Sequence, residues 1–173
     1  MNEFLRYRFL VDSGVDVLFK REISSLQCSY QFSDDYFRFL LISSGSSLVQ
    51  TSTDVSFFDL SVHNTSETLE EVNEDSIFSP YIFIIGRWSR DMLIGEVLVG
   101  DHRGAIVLIA EDKICDIDSI EELLEDMDVE DIHIVLKNDG DTVTALLSDG
   151  SGVMTVLEHS FYEFLDNRLL LAS

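Results

Sequence analysis

The side chains of this sequence whose types and spacing could do chemistry are chiefly carboxylates. Between Glu111 and Asp131 the chain carries Glu111, Asp112, Asp116, Asp118, Glu121, Glu122, Glu125, Asp126, Asp128, Glu130 and Asp131, eleven acids against the single base Lys113. Like charges this close repel, and the i,i+4 pairs Glu121/Glu125 and Glu122/Asp126 each cost a helix about 0.2–0.5 kcal/mol. Two readings fit such a run. It can face a partner with a basic site, where a complementary field raises the rate of encounter and lets an inhibitor cover a nuclease's phosphate-binding groove. Or it can be a solvated face that keeps the chain soluble. A calcium loop fits less well: Asp116 and Asp118 alternate as an EF-hand begins, but the pattern is not completed and no glycine follows where one is needed. Asp139-Gly140-Asp141 reads as a turn. No metal site is expected. A glycosidase-type carboxylate pair is defined by separation in space, and 33 acids supply so many pairs that the sequence singles out none.

Other catalytic patterns are missing. His63, His102, His133 and His159 show no H-E-x-x-H or other metal spacing, and no G-x-S-x-G elbow marks a nucleophilic serine. Neither GxGxxG nor GxxxxGK[ST] occurs, and Asp149-Gly150-Ser151-Gly152 fits a turn. His159 beside Ser160 reads as a helix start, and His133 is expected on a sheet face. The expectation is a protein without enzymatic activity and without a cofactor. Arg87-Trp88-Ser89-Arg90 is the one locally basic and aromatic patch. Trp88 could anchor a partner, since Trp and Arg are enriched at interface hot spots, or pack over a sheet end while the arginine stems snorkel. Cys28 and Cys115 share no C-x-x-C or Cys/His spacing, so reduced, buried thiols are expected.

The surrounding composition limits the partners. The chain has 173 residues, 46% of them hydrophobic, which suits a single domain over 1–173 with a sizeable core. Its 33 acids against 11 bases give a formal net charge of −22, which argues against contact with nucleic-acid phosphates or an anionic membrane. A basic protein partner stays open. With 12 phenylalanines the chain has the apolar content to fold despite its charge. The opening MNEFLRYRFLVDSG places Arg6 and Arg8 inside its apolar run, unlike a secretory signal, and no run approaches the ~20 apolar residues of a membrane span. A soluble cytoplasmic protein is expected.

Helices come first in the chain. Val15, Leu18, Phe19, Ile23 and Leu26 recur at helical spacing, and Phe32–Ile42 predicts a second, more buried helix with Ser33 as its cap and Asp34 and Asp35 in its first turn. It should stop at Ser43-Ser44-Gly45-Ser46-Ser47. Leu48–Val49 and Val55–Leu60 read as short strands, and His63–Asp75 as a loop with weak helical character around Leu69 and Val72. Tyr81–Gly86 predicts a central strand, and Met92–Val99, Gly100–Gly104 and Ala105–Ala110 a hairpin. Ser119–Met127 reads as a capped acidic helix. Ile132–Lys137, a turn at Asn138–Asp141, and Thr142–Leu147 predict a second hairpin. Val153–Leu157 then leads to a closing helix over Ser160–Leu169. Helices, then strands in hairpins, then a closing helix signal an α+β fold with a mostly antiparallel sheet.

Three of these blocks carry a family resemblance. Phe32-Ser33-Asp34-Asp35-Tyr36-Phe37-Arg38-Phe39-Leu40-Leu41-Ile42-Ser43-Ser44-Gly45 resembles the early helix of the SUKH superfamily. Ile84-Ile85-Gly86-Arg87 is similar to that family's central Ile-Gly strand end, and Leu157-Glu158-His159-Ser160-Phe161-Tyr162-Glu163-Phe164-Leu165 to its final helix. The resemblance implies an α+β domain without catalytic residues. In bacteria the family consists largely of immunity proteins that block co-encoded polymorphic toxins, often nucleases; fungal relatives include a regulator of cell-wall synthesis, and another branch binds secretion components.

The functional expectation is therefore a protein-binding module that neutralises a toxin domain by covering its basic surface. Asp116, Asp118, Glu121, Glu122, Glu125, Asp126 and Asp128 would supply the field, with Trp88 as a candidate anchor. The rivals are a DNA-mimicking inhibitor of a nucleic-acid enzyme, a regulatory scaffold of the same family and, last, a small two-carboxylate hydrolase. The sequence does not fix the oligomeric state.

Overall fold

Helix α1 (Val17–Tyr30) follows the apolar spacing, burying Ile23 and Leu26 while Lys20, Arg21 and Glu22 face water. The computed structural model describes residues 17–43, 55–58, 68–148 and 152–169. At Gln31 the backbone turns through a φ of 58°. Ser33 then caps α2 (Asp34–Ser43), its Oγ accepting the Tyr36 N–H at 3.2 Å, with Asp34 and Asp35 in the first turn. The short strand at Leu48–Val49 and the stop after Ser43 lie outside the described residues.

The α+β class stands. Five strands, β1 (Val55–Phe57), β2 (Ile82–Trp88), β3 (Met92–Val97), β4 (Ile106–Ala110) and β5 (Met154–Glu158), lie side by side in chain order, all neighbours antiparallel. The β3–β4 hairpin is where the sequence puts it. The Tyr81–Gly86 run becomes β2, an interior strand, while β3 takes the middle of the sheet. Ile84 pairs with Gly95 and Gly86 with Ile94, so Ile85 is an extra, bulged residue.

Where β1 ends, a side chain continues its work. Helix α3 (Leu69–Glu74) starts from a capping box between Thr68 and Glu71 and buries Asn73. The Asn73 side chain accepts the Ile84 N–H at 2.6 Å and donates to the Ile84 and Leu69 carbonyls, each at 2.8 Å. It thereby satisfies the part of β2 that β1 is too short to pair.

The second predicted hairpin is absent: its two halves are the helices α5 (Ile132–Val135) and α6 (Asp139–Ser148). They follow α4 (Ile120–Asp126), which Ser119 caps by accepting the Glu122 N–H at 3.2 Å. The alternation of Thr142–Leu147 also satisfies a helical period, and the core takes the helical option by burying Thr142, Val143 and Leu146. Gly140, expected in a turn, serves instead as a close-approach point: a Cβ there would sit 3.1 Å from the Cα of Gly100. His133 consequently lies exposed on α5, not on a sheet face. Most of the turn expected at Asp149–Gly152 lies outside the described residues.

The chain closes on α7 (Phe161–Phe164), capped by Ser160 and continued by a wider π-type turn, Leu165–Leu169. Its rings meet those of α2: Phe161 lies 5.0 Å from Tyr36 and 5.1 Å from Phe39, centroid to centroid. Phe83 of β2 joins them through Phe32 at 4.8 Å. Leu123, Leu124, Val143 and Leu146 of α4 and α6 are buried in the same core. The cysteines depart from expectation: Cys28 and Cys115 are free but exposed. One lies on the outward side of α1 and the other in the turn before α4, positions that their weak hydrophobicity does not pull inward.

Candidate functional site

Helix α4 is anchored by two leucines. With Leu123 and Leu124 buried, its remaining side chains Glu121, Glu122, Glu125 and Asp126 stand in solvent. Asp116, Asp118 and Asp128, before and after the helix, are exposed as well. Among the described residues none of these seven carboxylates forms an ion pair. Glu121 and Glu122 at least sit in the first turn, where the helix dipole favours them, and Glu122 also accepts the Asp118 N–H at 2.9 Å. Glu125 and Asp126 sit at the other end, where the dipole opposes them and no basic residue offsets it. Beyond them, Asp128 and Asp131 each adopt a φ of 54°, in the left-handed region that Asp tolerates better than most residues. These turns present α5, on which Ile134 is 62% exposed.

One acid of the run behaves differently. Glu111 turns inward and binds the Arg87 guanidinium through both oxygens, the longer contact being 3.1 Å. Arg87 also lies over the Phe58 ring at 5.8 Å.

Trp88, the next residue of β2, projects from the opposite face of the strand. It packs edge-on against Phe164 at 6.4 Å and carries the Arg168 guanidinium over its ring at 5.9 Å. Arg168 is itself held by Glu158 at 3.1 Å. The tryptophan is half-buried in a contact between the sheet and the C-terminal turn. The fold thus gathers the seven acids into one stretch and sets Trp88 apart from them.

The sequence reading passed over Glu96. It lies on β3 at 1% exposure, and its carboxylate accepts the Ser33 N–H at 2.6 Å and the Ser33 hydroxyl at 3.2 Å. Burial pushes its pKa up to about 7, against the pull of the Ser33 hydrogen bonds; Asp35 adds to the rise and Arg103 opposes it. Arg103 also donates to the Gln31 carbonyl at 3.2 Å. The available signal was an acid sharing strand parity with Ile94 inside an apolar run. The arrangement ties the α1–α2 junction to the sheet, through a carboxyl that changes charge near neutrality.

Among the described residues no group of three or more His, Cys, Asp or Glu side chains is placed to hold a metal ion, and no helix is long and apolar enough to cross a membrane. Compared with protein-family models, curated proteins and solved structures, the chain matches none, so its site is read from its own geometry.

Proposed function

We propose that this chain is a non-enzymatic, cytoplasmic protein-binding module of the SUKH type, an immunity protein that neutralises a co-encoded toxin domain by covering its basic surface. The observation that carries the reading is the acidic stretch itself. Seven exposed carboxylates, without ion-pair partners among the described residues, project from a segment that Leu123 and Leu124 fix in the core. A field held on a rigid support steers a basic partner and excludes acidic ones. A flexible solubilising tail would not require two buried leucines to position it.

The test uses, as the candidate toxin, the C-terminal domain of the protein encoded directly upstream of this chain. Its Kd is measured at about 50 and about 300 mM salt, which brackets the range over which surface charges become screened. The combined substitution Glu121→Lys, Glu122→Lys, Glu125→Lys and Asp126→Lys is measured alongside. Tight binding at low salt that weakens at least tenfold with either change supports the reading. Affinity indifferent to both retires it.

A further inference from the structure

The loop that follows β4 returns towards α3, and between the two lies a groove of about 440 Å3. Leu93 is buried in its floor, and Val72, Ile114 and Ile117 form half-buried walls. Glu71 and Asp75 stand exposed on the α3 lip. The Thr68 N–H and hydroxyl hold the Glu71 carboxyl below its ordinary pKa, so it is ionised at neutral pH. Across the groove the Arg87–Glu111 ion pair lies in the lining beside Ile114 and Ile117, which leaves Glu71 and Asp75 as the lining carboxylates outside an ion pair among the described residues; exposed Asp112, Asp116 and Asp118 neighbour the two isoleucines in sequence.

A groove with apolar floor and walls, a mutually neutralised Arg87–Glu111 pair and the Glu71 and Asp75 carboxylates on its α3 lip selects its occupant by chemistry. An acidic segment is repelled. A lone cation gains only screened, exposed contacts at the rim. A segment that carries an apolar side chain between lysines or arginines satisfies both parts, because the apolar group leaves water and the cations face the carboxylates.

We propose that this groove seats one leucine-sized side chain from a basic segment of the protein partner, and so anchors the interface towards which Asp116–Asp128 steers it. The inference rests on the function proposed above and deepens it. The acids supply attraction at a distance, the groove supplies retention, and Trp88 on the other face of the sheet takes no part.

Two capped peptides, Lys-Arg-Leu-Lys-Arg and Lys-Arg-Ala-Lys-Arg, serve as probes against the full chain. Binding is read by fluorescence anisotropy and by amide NMR shifts at low salt. The leucine peptide is expected to bind about tenfold more tightly, the difference that burying the larger side chain provides. Its shifts should centre on Val72, Ile114 and Ile117. Ile117→Arg should erase the tenfold preference, and Ile114→Gln, milder for folding, should reduce it; circular dichroism shows that each variant is folded. The four-lysine α4 variant should weaken both peptides and leave their ratio unchanged. Equal binding of the two peptides, or a preference that survives in folded Ile117→Arg, overturns the groove and leaves the acidic face standing. Binding of neither peptide overturns both.

Discussion

Glu96 and Ser33 meet across 63 positions of sequence, the carboxylate on β3 accepting both the backbone N–H and the hydroxyl of the residue that caps α2. The same Ser33 Oγ accepts the Tyr36 N–H. One buried acid thus holds a helix start against the middle of the sheet.

Its charge makes stability depend on pH in a direction opposite to that of a salt-bridged acid. The folded pKa is about 7 against an ordinary 4.5. Between those values the folded chain keeps a proton that the unfolded chain has lost. The stabilisation is complete below about pH 4.5 and disappears as pH rises to about 7, a total of roughly 3 kcal/mol. Glu96→Gln keeps an acceptor for the N–H and removes the titration. Urea unfolding of both proteins at about pH 5 and about pH 8 should show the wild type losing roughly this amount relative to the variant. Parallel pH profiles would refute the assignment.

Asn73→Ala should be severe for a single amide. It leaves the buried N–H and carbonyl of Ile84 without their partner, at a cost of about 2–4 kcal/mol. Denaturant midpoints check this, and a loss below about 0.5 kcal/mol would show that the edge of β2 does not need the side chain.

Gly100 and Gly104 separate two causes of glycine dependence. Both have positive φ, 70° and 87°, but a Cβ on Gly100 would lie 2.6 Å from the Cα of Gly140, whereas one on Gly104 meets nothing within 4 Å. Gly104→Ala should cost about 1 kcal/mol of backbone strain, and Gly100→Ala clearly more, because α6 must also move. Equal losses in thermal melts would deny the contact between turn and helix.

The C-terminal acids of α4 set stability against binding. Glu125→Lys with Asp126→Lys replaces charges that the dipole opposes by charges that it favours and removes repulsion with Glu121 and Glu122. The double variant should gain roughly 1 kcal/mol and bind a basic partner less well. A variant that is less stable, or binds as tightly as before, would contradict one half of that balance.

Much of this fold was legible in the chain because its signals are local. The caps at Ser33, Ser119 and Ser160, the glycine turn between β3 and β4, and the aromatic runs of α2 and α7 specify their own elements. Thr142–Leu147 defeats a local reading because a short apolar alternation fits both periods. Only contact with the core, and the approach of Gly140 to Gly100, selects the helix. Asn73 and Glu96 are illegible for a similar reason: each looks like an ordinary polar residue until a partner 11 or 63 positions away gives it a role.

Sequence alone determined the sign and concentration of the charge, the capped helices and the α+β class, since these follow from residue types and near-neighbour spacing. Tertiary structure decided that seven of the acids share one exposed stretch while Glu111 turns inward to Arg87. It also put Trp88 on the opposite face of β2 from Arg87, and opened a partly apolar groove beside Glu71 and Asp75. Those outcomes depend on which segments pack together, and that is governed by burial and long-range pairing, which no local pattern encodes.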